Sequence, residues 1–371
     1  MIDYLLASTN TDVKKIGVSG ISYGGGLSLL SAASDSRIKA AIAMSCWTNM
    51  TESFLQDDVT IHSKAIEGLQ RTGKYLGTLS PDVDTFFNDY LARANIPFLV
   101  DMTKRASAIY QLAGLNANKP AIFMANAYSD GLFTPNQFET FFNGLSDSVP
   151  KHIEFAPGVH AGPELSGLLP LYTNYSQKIF TYSGDVWGRA YAWADAYIKD
   201  YDNTVKSGTE VLPPIILDRL GSDNTLESYN SFSAISTDST RLHLEGRGKL
   251  MPYDPNAIRK GTLAKLTTGQ GVNVKGSLHS AGIEARFDRD RVYVMRELNE
   301  TYGALFLTTQ WDDLNDRKLR GSVSLNLELE STTTLGLVVA YALDCDRLGF
   351  LCKLVTYAPY TYSPQSSRRS T

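Results

Sequence analysis

The spacing of apolar positions changes along the chain, and the changes divide it into elements. Val13-Lys14-Lys15-Ile16-Gly17-Val18-Ser19 is a short β-rich run. A glycine-rich turn follows, and Leu27-Ser28-Leu29-Leu30-Ser31-Ala32-Ala33 then supplies good helix formers. The pattern predicts strand, tight turn, helix. A mostly apolar run from Ile38 to Met44, entered through the polar turn Ser34 to Ser36, has the length and bounds of a buried parallel strand. The chain therefore opens on a β-α-β unit.

From Thr51 to Leu115 the spacing becomes helical. Ser80-Pro81-Asp82 supplies a cap and first turn, and Val83, Phe86, Phe87, Tyr90 and Leu91 follow on one face. This reads as a helical cap inserted into the α/β core. Strand signals return at Pro120 to Met124 and at His152 to Phe155, separated by a helix-like stretch from about Gln137 to Leu145. A last helix, Val186 to Lys199, aligns Trp187, Ala190, Tyr191, Ala194, Tyr197 and Ile198. After about Asn203 the period switches to two. Ser322 to Glu330 alternates without a break, and Arg291 to Val294, Leu305 to Leu307 and Leu337 to Leu343 add strands. The expected organisation is an α/β core in residues 1–50 and 116–205, a cap in 51–115, and an all-β sandwich in 206–371 that ends in the polar tail Ser363 to Thr371.

Composition narrows the function classes. A length of 371 residues exceeds one ordinary core, and 43% apolar with 20% charged residues is close to the globular average. The net charge of −4 is small, and Lys and Arg form no stripe, which sets aside nucleic-acid and membrane partners. Cys46, Cys345 and Cys352 are too few for a disulfide framework and read as reduced, packed thiols, although the last two are close enough in sequence to be bridged. Met1-Ile2-Asp3-Tyr4 opens no signal peptide, and the compartment is left open.

The chemistry rests on Gly20-Ile21-Ser22-Tyr23-Gly24. In a Gly-x-Ser-x-Gly turn the strand reverses sharply into a helix with the serine at its apex, and flanking glycines keep side chains clear of that turn. The motif recurs by chance in glycine-rich chains, so its strand-turn-helix context is what gives it weight. A phosphate-binding loop is the competing reading of Gly20, Gly24, Gly25 and Gly26, but the Gly-Lys-Ser/Thr ending and the Gly-x-Gly-x-x-Gly spacing are both missing.

A serine nucleophile needs a histidine base and an orienting carboxylate, which behind a strand-turn-helix serine of this kind follow in the order Ser, Asp or Glu, His. Asp130 lies just past the strand that ends at Met124, and His160 just past the one that ends at Phe155, on the same sheet edge as Ser22. The other histidines fit worse: His62 lies in the insert, His152 stands at the start of its strand, and His243 and His279 fall in the β-domain. No His/Cys cluster suggests a metal, and no cofactor is expected.

At these residues the sequence resembles the Xaa-Pro dipeptidyl-peptidase and cocaine-esterase group of α/β-hydrolases. The resemblance is carried by Gly20-Ile21-Ser22-Tyr23-Gly24-Gly25, by Tyr128-Ser129-Asp130-Gly131 with Pro135-Asn136-Gln137, and by Pro157-Gly158-Val159-His160. It implies an α/β-hydrolase core with an inserted cap and a C-terminal jelly-roll sandwich. It also implies Ser22, Asp130 and His160 as a catalytic triad, with the Tyr23 backbone N–H as an oxyanion donor.

The expected substrate is a small ester or amide or a short peptide, with an acyl esterase preferred over a dipeptidyl-peptidase, and with Cys46 and Trp47 bordering the acyl pocket or, for Trp47, serving structure. Only 21 residues precede Ser22, fewer than the early strands of such a sheet require. The expectation is therefore an N-terminal truncation that removes the second oxyanion donor and leaves a strand edge open to homo-oligomer formation. A catalytically silent fragment that binds through its β-domain is the alternative from another class.

Overall fold

The computed structural model describes residues 2–56, 59–158, 160–164, 186–199, 211–218, 226–236, 239, 242–245, 249–252, 292–294, 320–327, 336–345 and 351–362. Helix α1 (Ile2–Ser8) leads into strand β1 (Ile16–Ile21), helix α2 (Tyr23–Ser34) and strand β2 (Ile38–Met44). Helices α3 (Met50–Phe54), α4 (Ser63–Leu76), α5 (Pro81–Ala92) and α6 (Ile96–Arg105) come next, with the small ladder β3 (Leu55–Gln56) and β4 (Val59–Thr60) inserted after α3. Then come α7 (Leu112–Asn118), β5 (Ala121–Ala127), α8 (Asn136–Gly144), β6 (Lys151–Ala156) and helix α9 (186–194), whose last turn, Asp195–Lys199, widens to a π-helix. Strands β7 (Ile215–Asp218) and β8 (Leu226–Tyr229) are followed by β9 (Leu242–Glu245), β10 (Lys249–Pro252), β11 (Val292–Val294), β12 (Gly336–Cys345) and β13 (Leu351–Tyr362).

The core is one six-stranded sheet in the order β1-β2-β5-β6-β7-β8, parallel from β1 to β7 and antiparallel only at β7/β8. Strands β2 and β5 are buried on both faces, which is why their sequences are apolar runs without alternation. Along β5 the side chains still alternate between layers. Ile122 and Met124 pack with Leu29 of α2 and Phe138 and Phe141 of α8, whereas Phe123 packs with Val186, Trp193 and Tyr197 of the α9 segment. Among the described residues β1 pairs only with β2. A groove of about 490 Å³ runs beside β1, lined by Val18, Ser19, Trp187, Tyr191 and Ile198 among others.

Helices α3 to α6 pack over the carboxyl edge of the sheet through Phe54, Ile66, Phe86, Tyr90 and Leu99, together with Trp47 and Phe133 of the core. The buried Tyr90 hydroxyl donates to Phe54 O at 2.6 Å and accepts Ile61 N–H at 3.1 Å, tying this insert together.

Three expectations change. The core sheet does not end near residue 205, because Ile215, Ile216 and Leu217 form a buried strand parallel to β6, and β8 follows it. Their short apolar run falls in the expected β-domain because that boundary rests on the period switch alone. The buried face of α9 is Val186, Ala190, Trp193 and Tyr197, while Tyr191 is 67% exposed. The described part of the alternating run, Ser322 to Leu327, forms no strand, and Val323, Leu325 and Leu327 are exposed. Alternation equips a segment to be a strand, but a ladder also needs a partner, and none pairs with it among the described residues.

Strands β11 and β12 match Arg291 to Val294 and Leu337 to Leu343. Both pair antiparallel with β13, and β9 pairs with β10. The expected strand Leu305 to Leu307, His279 and the polar tail lie outside the described residues, as does much of the expected sandwich.

Candidate active site

Ser22 sits between β1 and α2 with φ 57° and ψ −115°, a region a serine enters only under strain. Two backbone bonds hold it there. Ser22 N–H donates to Met44 O at the end of β2 (2.8 Å), and Gly26 N–H donates to Ser22 O (3.1 Å). A Cβ on Gly20 would lie 2.2 Å from the Gly24 carbonyl carbon, and one on Gly25 would lie 2.7 Å from Cys46 Cβ. Gly24, the second motif glycine, has open space where a Cβ would be. The tight approach therefore depends on Gly20 and Gly25 rather than on both motif glycines. Tyr23 opens α2, and its N–H belongs to the first helical turn, whose amides have no partner within the helix.

Asp130, 2% exposed, follows β5 in a turn. Its Oδ1 accepts the N–H groups of Leu132 and Phe133, both at 2.9 Å, and its Oδ2 accepts from His160 Nδ1 at 2.9 Å. His160 follows β6, and its Nε2 accepts the Ser22 hydroxyl at 2.8 Å. The three residues named from the sequence are thus brought into one hydrogen-bonded line. The Asp130 side chain is 0% exposed and that of His160 20%, so the inner end of the line is dry and the outer end reaches the surface. With Nδ1 donating to Asp130, the imidazole proton sits on Nδ1 and Nε2 is left to accept from the Ser22 hydroxyl.

Cys46 and Trp47 lie below the site. Cys46 has no exposed surface, and burial pushes its thiol far above the usual range. The Trp47 ring is 3% exposed, packs against Gly26 and donates its indole N–H to Ala106 O at 2.6 Å. It contacts Tyr23 and Phe133, and the Phe133 ring stands edge-on to His160 at 5.1 Å. Tyr23 is the exposed member of this stack, at 66%.

Sequence reasoning set His62 aside and missed Ser45 and Glu164. His62 caps α4 in a left-handed turn. Burial lowers its imidazole to about 4, against the pull of the Asp130 charge. Ser45 and Glu164 form a buried hydrogen-bonded pair beside His160. Their signal was positional: Ser45 follows β2 on the carboxyl edge, and Glu164 is four residues past His160.

Strand β13 reaches the acid's turn as well. Ser129 Oγ donates to Val355 O, and Thr356 Oγ1 donates to Tyr128 O, both at 3.0 Å. Among the described residues no group of three or more His, Cys, Asp and Glu could hold a metal ion, and no helix is long and apolar enough to cross a membrane.

Residues 1–81 match the prolyl oligopeptidase family. That stretch carries β1, the Ser22 turn, α2 and β2. Among solved structures, the chain is similar to Pyrococcus horikoshii acylaminoacyl peptidase at 16% identity and a TM-score of 0.35, over 57% of this chain and 28% of that one. It is similar to a 2,6-dihydroxy-pseudo-oxynicotine hydrolase at 14% identity and a TM-score of 0.31, over 56% and 47%. A third similarity is to acetyl xylan esterase 1 from Thermoanaerobacterium sp., at 16% identity and a TM-score of 0.28, over 50% of each chain. The chain thus spans about a quarter to a half of these proteins. No curated protein matches it. The core is of the α/β-hydrolase type.

Proposed function

We propose that this chain is a serine hydrolase that cleaves an ester or amide through an acyl-enzyme. The observation that carries the reading is the line Ser22 Oγ, His160 Nε2, His160 Nδ1, Asp130 Oδ2, with spacings of 2.8 and 2.9 Å at a strained strand-to-helix turn. In this reading Ser22 attacks the acyl carbon as His160 accepts its proton. The tetrahedral oxyanion meets the Tyr23 N–H at the positive end of α2, and His160 returns the proton to the leaving group. Water then enters by the same base and releases the acid. Asp130 holds the ring and favours its charged form throughout.

The finer reading is an acyl esterase of the Xaa-Pro dipeptidyl-peptidase and cocaine-esterase kind, with residues 51–115 as its cap and a C-terminal jelly roll. The motifs around Ser22, Asp130 and His160 support it, as does the aromatic stack ending in the exposed Tyr23, which suits an apolar acyl group.

A fluorophosphonate probe tests the general reading. The folded wild type should be labelled and Ser22→Ala should not; an unlabelled wild type would sink the proposal. Parallel assays with a nitrophenyl ester and an Xaa-Pro nitroanilide test the finer one, and preference for the anilide would reverse it.

A further inference from the structure

Beside His160 the structure buries a second carboxyl that the triad does not use. Glu164 has no exposed surface, and both its oxygens lie 2.9 Å from Ser45 Oγ, which donates to it. The same hydroxyl accepts the N–H of Ala161, the residue directly after His160, at 3.2 Å. The chain of bonds is anchored at both ends. Ser45 N–H donates to Ala125 O near the end of β5 (2.8 Å), and the Trp187 indole donates to the Glu164 carbonyl (3.0 Å). Two of its members, Ser45 at φ 41° and Ala161 at φ 58°, hold left-handed conformations that side-chain-bearing residues adopt only when their surroundings enforce them.

We propose that Glu164, acting through the Ser45 hydroxyl, is a positioning residue that fixes the His160 loop over Ser22. The inference rests on the hydrolase reading above. A hydroxyl has one proton and two lone pairs. An acceptor at Glu164 draws that proton to one side and leaves a lone pair facing Ala161 N–H; without an acceptor the hydroxyl can rotate and the loop loses its fixed contact. The ionisable groups that act on Glu164 are His160 and Asp130, and Glu164 in turn acts on the neutral Cys46 thiol. Burial raises the Glu164 carboxyl to about 7, so its charge changes near neutral pH. When ionised, it adds to Asp130 in favouring the imidazolium that forms as Ser22 attacks.

The test uses the full chain with Ser45→Ala, Glu164→Ala and Glu164→Gln, each checked for folding by circular dichroism. The measurements are fluorophosphonate labelling rates, and kcat and KM on a nitrophenyl ester across pH. Both alanine variants should lose about 10- to 100-fold in kcat with KM within about twofold, the cost of a base displaced by a fraction of an ångström to an ångström. Glu164→Gln keeps an acceptor oxygen without the charge. It should recover kcat to within about threefold and move the acid limb of kcat/KM to lower pH.

Alanine variants with wild-type kcat, or a glutamine variant as slow as Glu164→Ala, would overturn the inference and leave the hydrolase reading intact while the wild type is labelled. A folded wild type that takes no label removes both. If Glu164→Ala does not fold, the acid limb of Glu164→Gln decides, and an unmoved limb counts against the inference.

Discussion

Replacing Glu164 by glutamine should change how stability depends on pH. Burial is the main cause that raises the folded-state carboxyl from 4.5 to about 7, opposed by backbone and Ser45 hydrogen bonds and by the nearby His160. In the unfolded chain the group ionises near its ordinary value. Between pH 4.5 and 7 the folded state therefore holds more protons, and the stability present below 4.5 is lost as pH rises through this window. At 1.36 kcal/mol for each tenfold change in proton affinity, the loss is about 3 kcal/mol.

His62 works in the opposite direction. Burial lowers its imidazole from 6.5 to about 4, so the unfolded state holds more protons between those values, and stability present above 6.5 is lost as pH falls through the window, again by about 3 kcal/mol. The windows overlap and the two slopes nearly cancel in the wild type. Glu164→Gln removes one of them. From pH 4.5 to 8 the variant should gain about 3 kcal/mol relative to wild type, with groups common to both dropping out of the difference. His62→Gln should show the reverse slope, and the double variant should be nearly flat. Urea unfolding followed by tryptophan fluorescence at half-unit steps of pH measures this directly. Wild-type and Glu164→Gln stability curves that run parallel across pH would refute the reasoning.

Other expectations follow from single contacts. Ser22→Gly should abolish probe labelling yet raise stability by about 1 kcal/mol in denaturant titrations, because glycine occupies φ 57° without the serine's strain. Gly20→Ala would place its methyl 2.2 Å from backbone that cannot move aside, and should cost about 1–3 kcal/mol, whereas Gly24→Ala meets open space and should stay within about 1 kcal/mol of wild type. Glu154 is 2% exposed and accepts from Arg189 Nε, with His152 Nε2 3.4 Å from the same oxygen, so Arg189→Ala removes the guanidinium partner of a buried carboxylate and leaves it only the imidazole. A loss of about 3–5 kcal/mol is expected, with Arg189→Lys recovering part of it in the same titration.

The legibility of each element in the sequence followed from how local its cause was. Ser22, Asp130 and His160 could be named because each sits directly after a strand, and strand ends on a parallel sheet share one edge. Helix α5 could be read because Ser80-Pro81 and its apolar spacing lie within the element itself. Helix α1 is seven residues without a capping signal, and it meets the core through the partly buried Ile2 and Leu6 and an Asp3–Arg37 ion pair. Strand β7 looks like any short apolar run until its pairing with β6 is known. Trp47 shows the same limit. Its place after a strand suggests a pocket wall, but the indole packs on Gly26 and bonds to Ala106, which comes from the end of helix α6.

The joins between these residues were the hidden part, and they converge on the end of β2. Met44 O receives the Ser22 amide, Ser45 N–H donates to β5 through Ala125 O, and Ser45 Oγ receives the amide beside His160. Two consecutive residues thus link the turn that carries the serine, the strand that leads to Asp130, and the loop that carries the histidine. None of these bonds has a sequence signature, since each joins a backbone group to a partner at least 22 residues away. Their consequence is geometric. With the turn, the strand and the loop referred to one strand end, the serine–histidine spacing depends less on the connecting segments' own stiffness than on β2, which is buried along nearly its whole length. Substitutions that loosen that strand end, at Ser45 above all, should therefore alter the site more than larger changes in the exposed parts of the same loops.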